Sequence, residues 1–360
     1  MLVGIDARVS FYDSAGIGVY INNISRALHE LIPPSEIMLF RDFRESMCST
    51  ESSRSVGMFG PAHSNIGDHL FAMQAALFRP SIVHFTDHIC LKVLGARSVV
   101  TVHDLSFLRM PHTHSTASVR YYGRCLDSLK LADAIICVSE FTKNELLELA
   151  DIDPQDVFVV PHGAKGFMRG VEAGLDCDEG STLIREPYAL CIGTYSERKN
   201  VVQLANSFLD NCSNDNMVLA FAGAEGNASS ELRSISARNP SKIRVLGRVM
   251  NSQLHRLIIE AEMLVSPSLY EGFGLPVLDA MAYGIPIVVS NRQPFIDLAG
   301  NAAWLFDPTN DAGIAGTMMS VRRSCTLREQ RINNGLKLAA QFSWDQAAKK
   351  TIAAYDHALR

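Results

Sequence analysis

Two carboxylates flank a glycine-containing turn within residues 268–284. The apolar run Met263–Ser266 predicts a buried strand, and Pro276 suits the first turn of a helix, where its missing N–H costs nothing. Backbone amides exposed at such a helix N-terminus bind anions. Glu271 and Asp279 lie beside this turn, and a carboxylate near a phosphate is repelled unless hydroxyl groups donate to it. A nucleotide-sugar offers both groups. The alternative is an ordinary strand–loop–helix connection with exposed acids.

A second anion-binding segment follows the strand that starts the C-terminal half. Gly193 ends this strand, and Arg198 and Lys199 are adjacent cations where the next helix is expected to open. Cations at a helix N-terminus oppose the helix dipole, so the pair makes sense if an anion binds there. A solvated charge pair is the alternative interpretation.

Two N-terminal segments also follow predicted strands. Gly16 and Gly18 open a predicted helix and could approach a phosphate closely, although the third glycine of a dinucleotide-binding loop is missing. A plain tight turn explains them equally well. His103 ends the run Val100-Thr101-Val102 and is either a hydrogen-bonded core residue or a group that contacts the ligand.

The elements that position these residues alternate between strand and helix. Continuous Val/Ile/Leu runs separated by helix-sized segments predict parallel sheets covered on both faces. The aperiodic, glycine-rich stretch 163–186 interrupts the alternation and predicts a linker. We therefore expect an α/β protein with two doubly wound domains, one over 1–165 and the other over 183–342. Ligands bind outside the carboxyl ends of strands in such sheets. The predicted strands are Leu2–Ala7, Ile37–Phe40, Ile82–Phe85, Ser98–Val102, Ala134–Val138, Val157–Val160, Tyr188–Ile192, Val218–Ala222, Ile243–Leu246, Met263–Ser266, Ile285–Val289 and Ala303–Phe306.

Composition limits the remaining function classes. With 47% hydrophobic and 20% charged residues, the 360-residue chain can form two sizeable cores. The net charge of −5 gives no reason to expect nucleic acid as a partner. The eight cysteines contain no C-x-x-C pair, no apolar run is long enough for a transmembrane helix, and the N-terminus lacks the basic start of a signal peptide. We expect a cytoplasmic protein.

At these residues the chain resembles a known family. The sequence Glu271-Gly-Phe-Gly-Leu-Pro with Asp279 eight residues after Glu271 is similar to the E-x7-E signature of retaining GT-B glycosyltransferases of the family 4, group 1 type. The resemblance implies two Rossmann-like domains that face a central cleft. It also implies that the helix after Ser343 crosses back to the N-terminal domain, which would bind the acceptor. The C-terminal domain would bind the nucleotide-sugar donor.

The resemblance assigns the candidate residues their roles. Glu271, His103 and Lys199 would be catalytic, with Glu271 and His103 beside the donor sugar and Lys199, assisted by Arg198, on the diphosphate. Asp279 would hold the ribose, although the family has Glu there, and Thr194 stands where some members carry another arginine. Donor contacts are also implied for Gly16, Gly18, Gly223, Arg248, Val249, Gly272, Phe273, Gly274 and Leu275.

The same resemblance predicts the reaction. A hexose, with mannose from GDP-mannose as the first choice, would move with retention of configuration to a saccharide or a polyprenyl-diphosphate-linked saccharide, as in bacterial surface-polysaccharide synthesis. A UDP-sugar transferase, a nucleotide-sugar epimerase, an NAD(P)-dependent oxidoreductase and a non-catalytic sugar-nucleotide-binding subunit are the alternatives.

No metal site and no cofactor are expected from the sequence. Asp151/Asp153 and Asp176/Asp178 both form D-x-D pairs, but neither pair closes a hydrophobic strand. His112 and His114 flank Thr113 without a third ligand at metal spacing.

Two features bear on packing and location. Trp344, Ala347, Ala348, Ile352 and Tyr355 form the apolar stripe of the final helix. Peripheral association with the inner face of the cytoplasmic membrane is a further expectation, from a basic and aromatic set at Arg120, Tyr121, Tyr122, Arg124 and Lys130. A helix with a solvated basic face is the alternative.

Overall fold

A computed structural model describes residues 1–11, 16–46, 54–164, 183–212 and 215–360. The chain divides into two compact units: unit 1 comprises Met1–Gly163 and Phe342–Arg360, and unit 2 comprises Ala164–Gln341. The Asp176/Asp178 pair lies outside the described residues.

Unit 1 contains a parallel sheet of seven strands in the order β3-β2-β1-β4-β5-β6-β7. Its strands are β1 (Val3–Asp6), β2 (Ile37–Asp42), β3 (Ser55–Met58), β4 (Ile82–Phe85), β5 (Arg97–Val102), β6 (Ala134–Cys137) and β7 (Val157–Val159). Its helices up to Gly163 are α1 (Gly16–Leu31), α2 (Phe43–Ser46), α3 (Asn65–Leu77), α4 (Ser106–Arg109), α5 (Thr116–Tyr122), α6 (Cys125–Leu129) and α7 (Glu140–Leu149).

The strand order of this sheet creates a switch point between β1 and β4. Val3 of β1 lies opposite Ile37 of β2 on one side and Ile82 of β4 on the other. The strand order reverses between β1 and β4, so the chain segments after these strands diverge to opposite sides. Such a switch point, at the carboxyl ends of the strands, is where doubly wound sheets place polar functional groups.

Unit 2 contains a parallel sheet of six strands in the order β10-β9-β8-β11-β12-β13. Its strands are β8 (Tyr188–Ile192), β9 (Val218–Ala222), β10 (Ile243–Gly247), β11 (Met263–Ser266), β12 (Ile287–Ser290) and β13 (Ala303–Phe306). Its helices are α8 (Val201–Cys212), α9 (Ser229–Arg238), α10 (Asn251–Glu260), α11 (Leu275–Ala282), α12 (Phe295–Ala299), α13 (Asp311–Arg323) and α14 (Cys325–Ala339). The predicted fold class, two parallel-sheet Rossmann-like domains, is confirmed.

The final helix, α15 (Trp344–Ala358), packs on α1 and on strands β5, β6 and β7 of unit 1, as the fold prediction required. The Ser343 hydroxyl caps it by accepting a hydrogen bond from the Gln346 amide. One position of the predicted stripe is less buried than the others: Ile352 is half-buried, whereas the neighbouring Thr351 is fully buried. Thr351 tolerates burial because its hydroxyl donates to the Ala347 carbonyl at 2.8 Å.

A buried chain of polar side chains fastens α15 to the sheet. The Tyr355 hydroxyl lies 2.8 Å from His84 Nδ1, His84 Nε2 lies 2.8 Å from Thr101 Oγ1, and Thr101 Oγ1 lies 2.9 Å from the Tyr20 hydroxyl. Burial lowers the pKa of His84 to about 3, so the ring is neutral at pH 7. These buried polar contacts were not predicted from the sequence.

We expect the His84 ring to make folding stability depend on pH. Because its folded pKa lies below its unfolded value, its contribution is present above about pH 6.5 and is lost as the pH falls toward the folded value. From pH 7 to pH 5 the melting temperature of the wild type should therefore fall more than that of His84→Gln. His69→Gln, an exposed histidine on α3, is the matched control. An equal fall of the melting temperature between pH 7 and pH 5 in all three proteins would contradict the prediction.

Candidate active site

The Glu271 turn has the predicted geometry of a helix N-terminus. Strand β11 ends at Ser266 and α11 begins at Leu275, with Pro276 in its first turn. Gly274 precedes the helix with φ +107°, a left-handed conformation that favours glycine. The helix ends at Ala282, and Gly284 follows with φ +70°.

A side chain at Gly274 would disturb this turn in two ways. A Cβ there would lie 2.7 Å from Phe295 Cε1, and the positive φ would be strained. Gly274→Ala should therefore destabilise the protein by about 1–3 kcal/mol. Gly316→Ala in α13 is the matched control, since a Cβ there meets nothing within 4 Å and alanine favours a helix by about 1 kcal/mol. The melting temperature of Gly274→Ala should fall below that of the wild type, and that of Gly316→Ala should rise above it. If Gly274→Ala had the melting temperature of the wild type, the claim that a side chain strains this turn would be wrong.

Glu271 is buried and held by three side chains. Its carboxylate forms an ion pair with Lys199, accepts a hydrogen bond from the Ser268 hydroxyl at 2.7 Å, and lies 3.4 Å from Arg198 Nη1. Burial alone would raise the pKa of the Glu271 carboxyl, but the charges of Lys199 and Arg198 outweigh it and hold the pKa below its usual value. An ionised carboxylate at this place can accept hydrogen bonds from sugar hydroxyls.

The cationic segment differs from the prediction in one respect. Arg198 and Lys199 lie in a short 3-10 turn, Glu197–Lys199, and α8 begins only at Val201. Asn200 lies between this turn and α8 and has a left-handed φ of 56°. Its side-chain amide donates a hydrogen bond to the Pro308 carbonyl at 2.9 Å. The cations therefore precede the helix rather than open it.

Two hydrogen bonds hold this turn against the Glu271 turn, one from the Arg198 side chain and one between backbone atoms. Arg198 Nη1 donates to the Tyr270 carbonyl at 2.9 Å, and the Leu269 amide donates to the Arg198 carbonyl at 2.9 Å. The two segments lie about seventy residues apart in sequence, and the fold brings both cations to one carboxylate. The predicted residues Lys199, Arg198 and Glu271 thus form one cluster.

The glycines at the carboxyl ends of β8 and β9 allow a close backbone approach. A Cβ on Gly223 would collide with the Gly193 carbonyl oxygen, and a Cβ on Gly193 would lie 3.3 Å from the Lys199 side chain. Tyr195, buried below, donates to the Phe221 carbonyl at 3.0 Å and accepts from the Gly247 amide at 2.9 Å. This packing places Lys199 directly above the ends of the strands.

The remaining donor-site candidates of unit 2 lie around the same end of the sheet. Gly272 and Phe273 are buried in the Glu271 turn, Leu275 starts α11, and Asp279 is half-exposed one turn later. Arg248 and Val249 follow β10, with Arg248 exposed and Val249 half-buried.

Three candidates belong to unit 1. Gly16 and Gly18 lie in the first turn of α1, as predicted. His103 follows β5, and its Nε2 donates to the Thr86 carbonyl at 2.9 Å. Burial and the neighbouring His88 lower the pKa of His103 to about 4. The ring is therefore neutral at pH 7, and because Nε2 carries the proton, Nδ1 is a hydrogen-bond acceptor.

Sequence reasoning missed two side chains that support Glu271. Ser268 donates to Glu271, and Ser290 donates to the Ser268 carbonyl at 2.6 Å. Ser268 and Glu271 form an S-x-x-E pattern, which ordinarily marks a capping box at a helix start. Here the Ser268 hydroxyl binds the Glu271 carboxylate itself, so the pattern does not predict this contact. Ser290 lies at the end of β12 and has no local signal.

The structure gives local partners to the basic and aromatic set of α5 and α6. Tyr121 and Arg124 bind Asp68, Tyr122 binds Asp87 at 2.9 Å, and Lys130 pairs with Asp127 at 3.0 Å. These contacts cancel part of the positive charge that suggested a membrane surface.

Asp153 of the first D-x-D pair and His114 make hydrogen bonds within the protein. Asp153 accepts a hydrogen bond from the Gln155 amide at 2.9 Å and caps a turn before β7. His114 lies 2.9 Å from the Ser106 hydroxyl, and His112 is exposed. Within the described ranges, no group of three or more His, Cys, Asp or Glu side chains is arranged to hold a metal ion.

Comparisons with known proteins identify the family of this chain. The family model of glycosyl transferases group 1 matches residues 180–338, and that of glycosyltransferase family 4 matches residues 14–165. The O-antigen chain mannosyltransferase B of Escherichia coli is 33% identical over 267 residues, which cover 72% of this chain and 70% of that protein.

Solved structures show the same fold. The Anabaena HepE protein, in complex with UDP and glucose, has a TM-score of 0.77 at 13% identity, over 99% of both chains. WaaG, a glycosyltransferase involved in lipopolysaccharide biosynthesis, has a TM-score of 0.74 at 14% identity, over 98% of both chains. The predicted family is confirmed: this chain is a GT-B glycosyltransferase and belongs to the family 4, group 1 glycosyltransferases.

Proposed function

We propose that this glycosyltransferase moves mannose from GDP-mannose to a saccharide or a polyprenyl-diphosphate-linked saccharide, with retention of configuration and without a metal ion. The observation that carries the proposal is the ionised Glu271 carboxylate between Lys199 and Arg198, at the N-terminus of α11. This cluster offers cations and amides to a diphosphate and a carboxylate to the hydroxyls of the attached sugar.

Lys199 changes partner when the donor binds. Before binding it is paired with Glu271, and its position above Gly193 lets the ammonium reach an incoming phosphate oxygen. Arg198 is held in place by the Tyr270 carbonyl and therefore needs little reorganisation. Preorganised charge of this kind stabilises a leaving diphosphate more than water does.

The reaction step follows from this arrangement. The acceptor hydroxyl oxygen attacks the anomeric carbon as the bond to the donor phosphate breaks, and its proton passes to the departing phosphate oxygen on the same face. Glu271 orients the sugar by accepting from its hydroxyls. The neutral His103 ring assists donor binding through its Nδ1 acceptor, while Thr86 holds its other nitrogen.

The name of the Escherichia coli relative supports mannose as the sugar. The HepE complex with UDP and glucose supports a UDP-sugar as the second candidate donor. To test the proposal, the protein is incubated with GDP-mannose or UDP-glucose and a saccharide acceptor. We expect GDP release and an α-mannoside, identified by the NMR signal of its anomeric proton. A β-linked product would contradict retention, and transfer from UDP-glucose alone would contradict the donor assignment.

Transfer should survive removal of metal ions. The proposal assigns the leaving charge to Lys199, Arg198 and the amides of the α11 N-terminus, so chelation by EDTA should leave the initial rate within about twofold. Rates are compared before and after dialysis against EDTA, with a Mg²⁺-dependent enzyme as the control. Loss of activity that returns with Mn²⁺ would contradict metal independence.

The acceptor part of the proposal is supported by the similarity to the O-antigen chain mannosyltransferase B of Escherichia coli. An O-antigen chain is a surface polysaccharide, which supports a saccharide acceptor attached to a lipid carrier. No helix among the described residues is both long and apolar enough to cross a bilayer.

A further inference from the structure

Helix α3 in unit 1 carries large apolar side chains on both of its faces. Its inner face buries Phe71 and Ala75 in the core of the unit. Its outer face exposes Ile66, Leu70, Met73 and Leu77, with 74%, 39%, 71% and 80% of their surfaces accessible. These four positions repeat at intervals of four, three and four residues, which places them on one line along the helix. A helix that is apolar all round is normally covered on both sides.

Two phenylalanines extend this stripe sideways. Phe43 and Phe59 are both exposed and stack on each other with ring centroids 4.5 Å apart. The Gln74 side chain binds the Phe59 backbone at both its N–H and its carbonyl, at 2.9 and 3.0 Å, and thereby holds Phe59 against α3. We call the surface formed by Ile66, Leu70, Met73, Leu77, Phe43 and Phe59 the α3 face. A contiguous apolar patch of this kind marks an interaction surface.

Two exposed arginines accompany the α3 face in the described part of the chain. Asp68, the acidic residue of α3, is buried and points inward to Arg8, Tyr121 and Arg124. The outer side of α3 therefore carries no carboxylate. Arg79, two residues after the helix, is exposed, and so is Arg120 on the neighbouring helix α5. An apolar stripe bordered by cations suits the boundary between the headgroups and acyl chains of an anionic bilayer.

We propose that the α3 face docks unit 1 on an anionic lipid surface, with Ile66, Leu70, Met73 and Leu77 in the acyl-chain boundary. The proposal rests on the proposed function in one respect, since a lipid-linked acceptor requires the enzyme to reach a membrane. It replaces the basic and aromatic set of α5 and α6 as the main contact, because the described partners of Tyr121, Tyr122 and Arg124 lie within the protein.

The test measures binding of the full chain to vesicles. Wild type and the double variant Met73→Gln/Leu77→Gln are sedimented with vesicles of phosphatidylglycerol and phosphatidylcholine, and with phosphatidylcholine alone. Because each large side chain removed from hydrocarbon weakens partitioning about tenfold or more, the variant should lose at least about 100-fold in affinity for the anionic vesicles. The wild type should bind neutral vesicles more weakly.

Controls separate this proposal from folding and from the donor site. Ile259→Gln/Leu327→Gln removes two exposed aliphatic side chains of unit 2 and should bind vesicles as the wild type does. Each protein is also melted with and without GDP-mannose, because a shift with GDP-mannose reports the donor site alone. Donor binding without vesicle binding would overturn the docking proposal and leave the proposed function standing.

A second copy of the chain is the competing occupant of the α3 face. Light scattering of the wild type should show a monomer at micromolar concentration, unchanged in the variant. A dimer that Met73→Gln/Leu77→Gln dissociates would overturn the lipid assignment, as would equal vesicle binding by wild type and variant.

Discussion

Replacing Lys199 by alanine is expected to weaken donor binding about 10- to 150-fold. A charge-assisted hydrogen bond to a phosphate contributes about 1.5–3 kcal/mol, and each 1.4 kcal/mol is a factor of ten. The substitution also takes one cation away from the buried Glu271 carboxylate, so the pKa of Glu271 should rise. Both changes weaken the complex of the protein with the sugar nucleotide. We therefore expect the larger part of the loss to appear in the affinity for the sugar nucleotide.

The measurement is a calorimetric titration of GDP-mannose into each protein. Lys337→Ala is the matched control, because Lys337 is an exposed lysine of the same unit, on α14. It should bind the donor as the wild type does. An unchanged dissociation constant for Lys199→Ala would remove the phosphate assignment, whatever the transfer activity of the variant.

Deletion of residues 344–360 is expected to give insoluble or inactive protein. The helix α15 buries Trp344 and Tyr355, and each aromatic ring of this kind contributes several kcal/mol through roughly 150–250 Å² of buried surface. A loss of that size approaches the whole stability of about 5–15 kcal/mol of a typical domain. Deletion also removes the hydroxyl that pairs with the buried His84 ring.

Two point variants show which part of α15 matters. Tyr355→Phe keeps the buried ring but leaves His84 Nδ1 without its partner, which should cost about 1–3 kcal/mol. Lys350→Ala changes an exposed residue of the same helix and should melt as the wild type does. Solubility and thermal melting are measured for all three proteins. A soluble truncation with full activity would show that α15 is dispensable.

Much of the fold could be predicted because it depends on local patterns. The runs Met263–Ser266 and Tyr188–Ile192 are strands of the predicted lengths, since a buried parallel strand needs a continuous apolar sequence. Strand β3 escaped prediction because Ser55–Met58 mixes polar, apolar and glycine residues. It is a strand because it pairs with β2 at the edge of the sheet. That pairing is a tertiary effect with no local signal.

The candidate site also has features that its local sequence predicts and features that only tertiary contacts create. The left-handed Gly274 and the start of α11 follow from glycine and proline chemistry, which a sequence displays. The ion pair between Lys199 and Glu271 joins residues about seventy positions apart, and only the order β8–β11 of the sheet brings them together. Buried His84 was missed for a similar reason. The sequence around a histidine in an apolar strand does not indicate that the Tyr355 hydroxyl of α15 will be its hydrogen-bond partner.

The most direct test of the nucleotide-sugar site is a titration series with wild-type protein. GDP-mannose, UDP-glucose, GDP, UDP and NAD⁺ are titrated separately, and each complex is repeated at several salt concentrations. The proposed function predicts that a sugar nucleotide binds more tightly than its free nucleotide, because the Glu271 carboxylate is proposed to accept hydrogen bonds from the sugar hydroxyls. It also predicts that binding weakens with salt, because Lys199 and Arg198 are proposed to contact the diphosphate. Binding of NAD⁺ without binding of either sugar nucleotide would contradict the account.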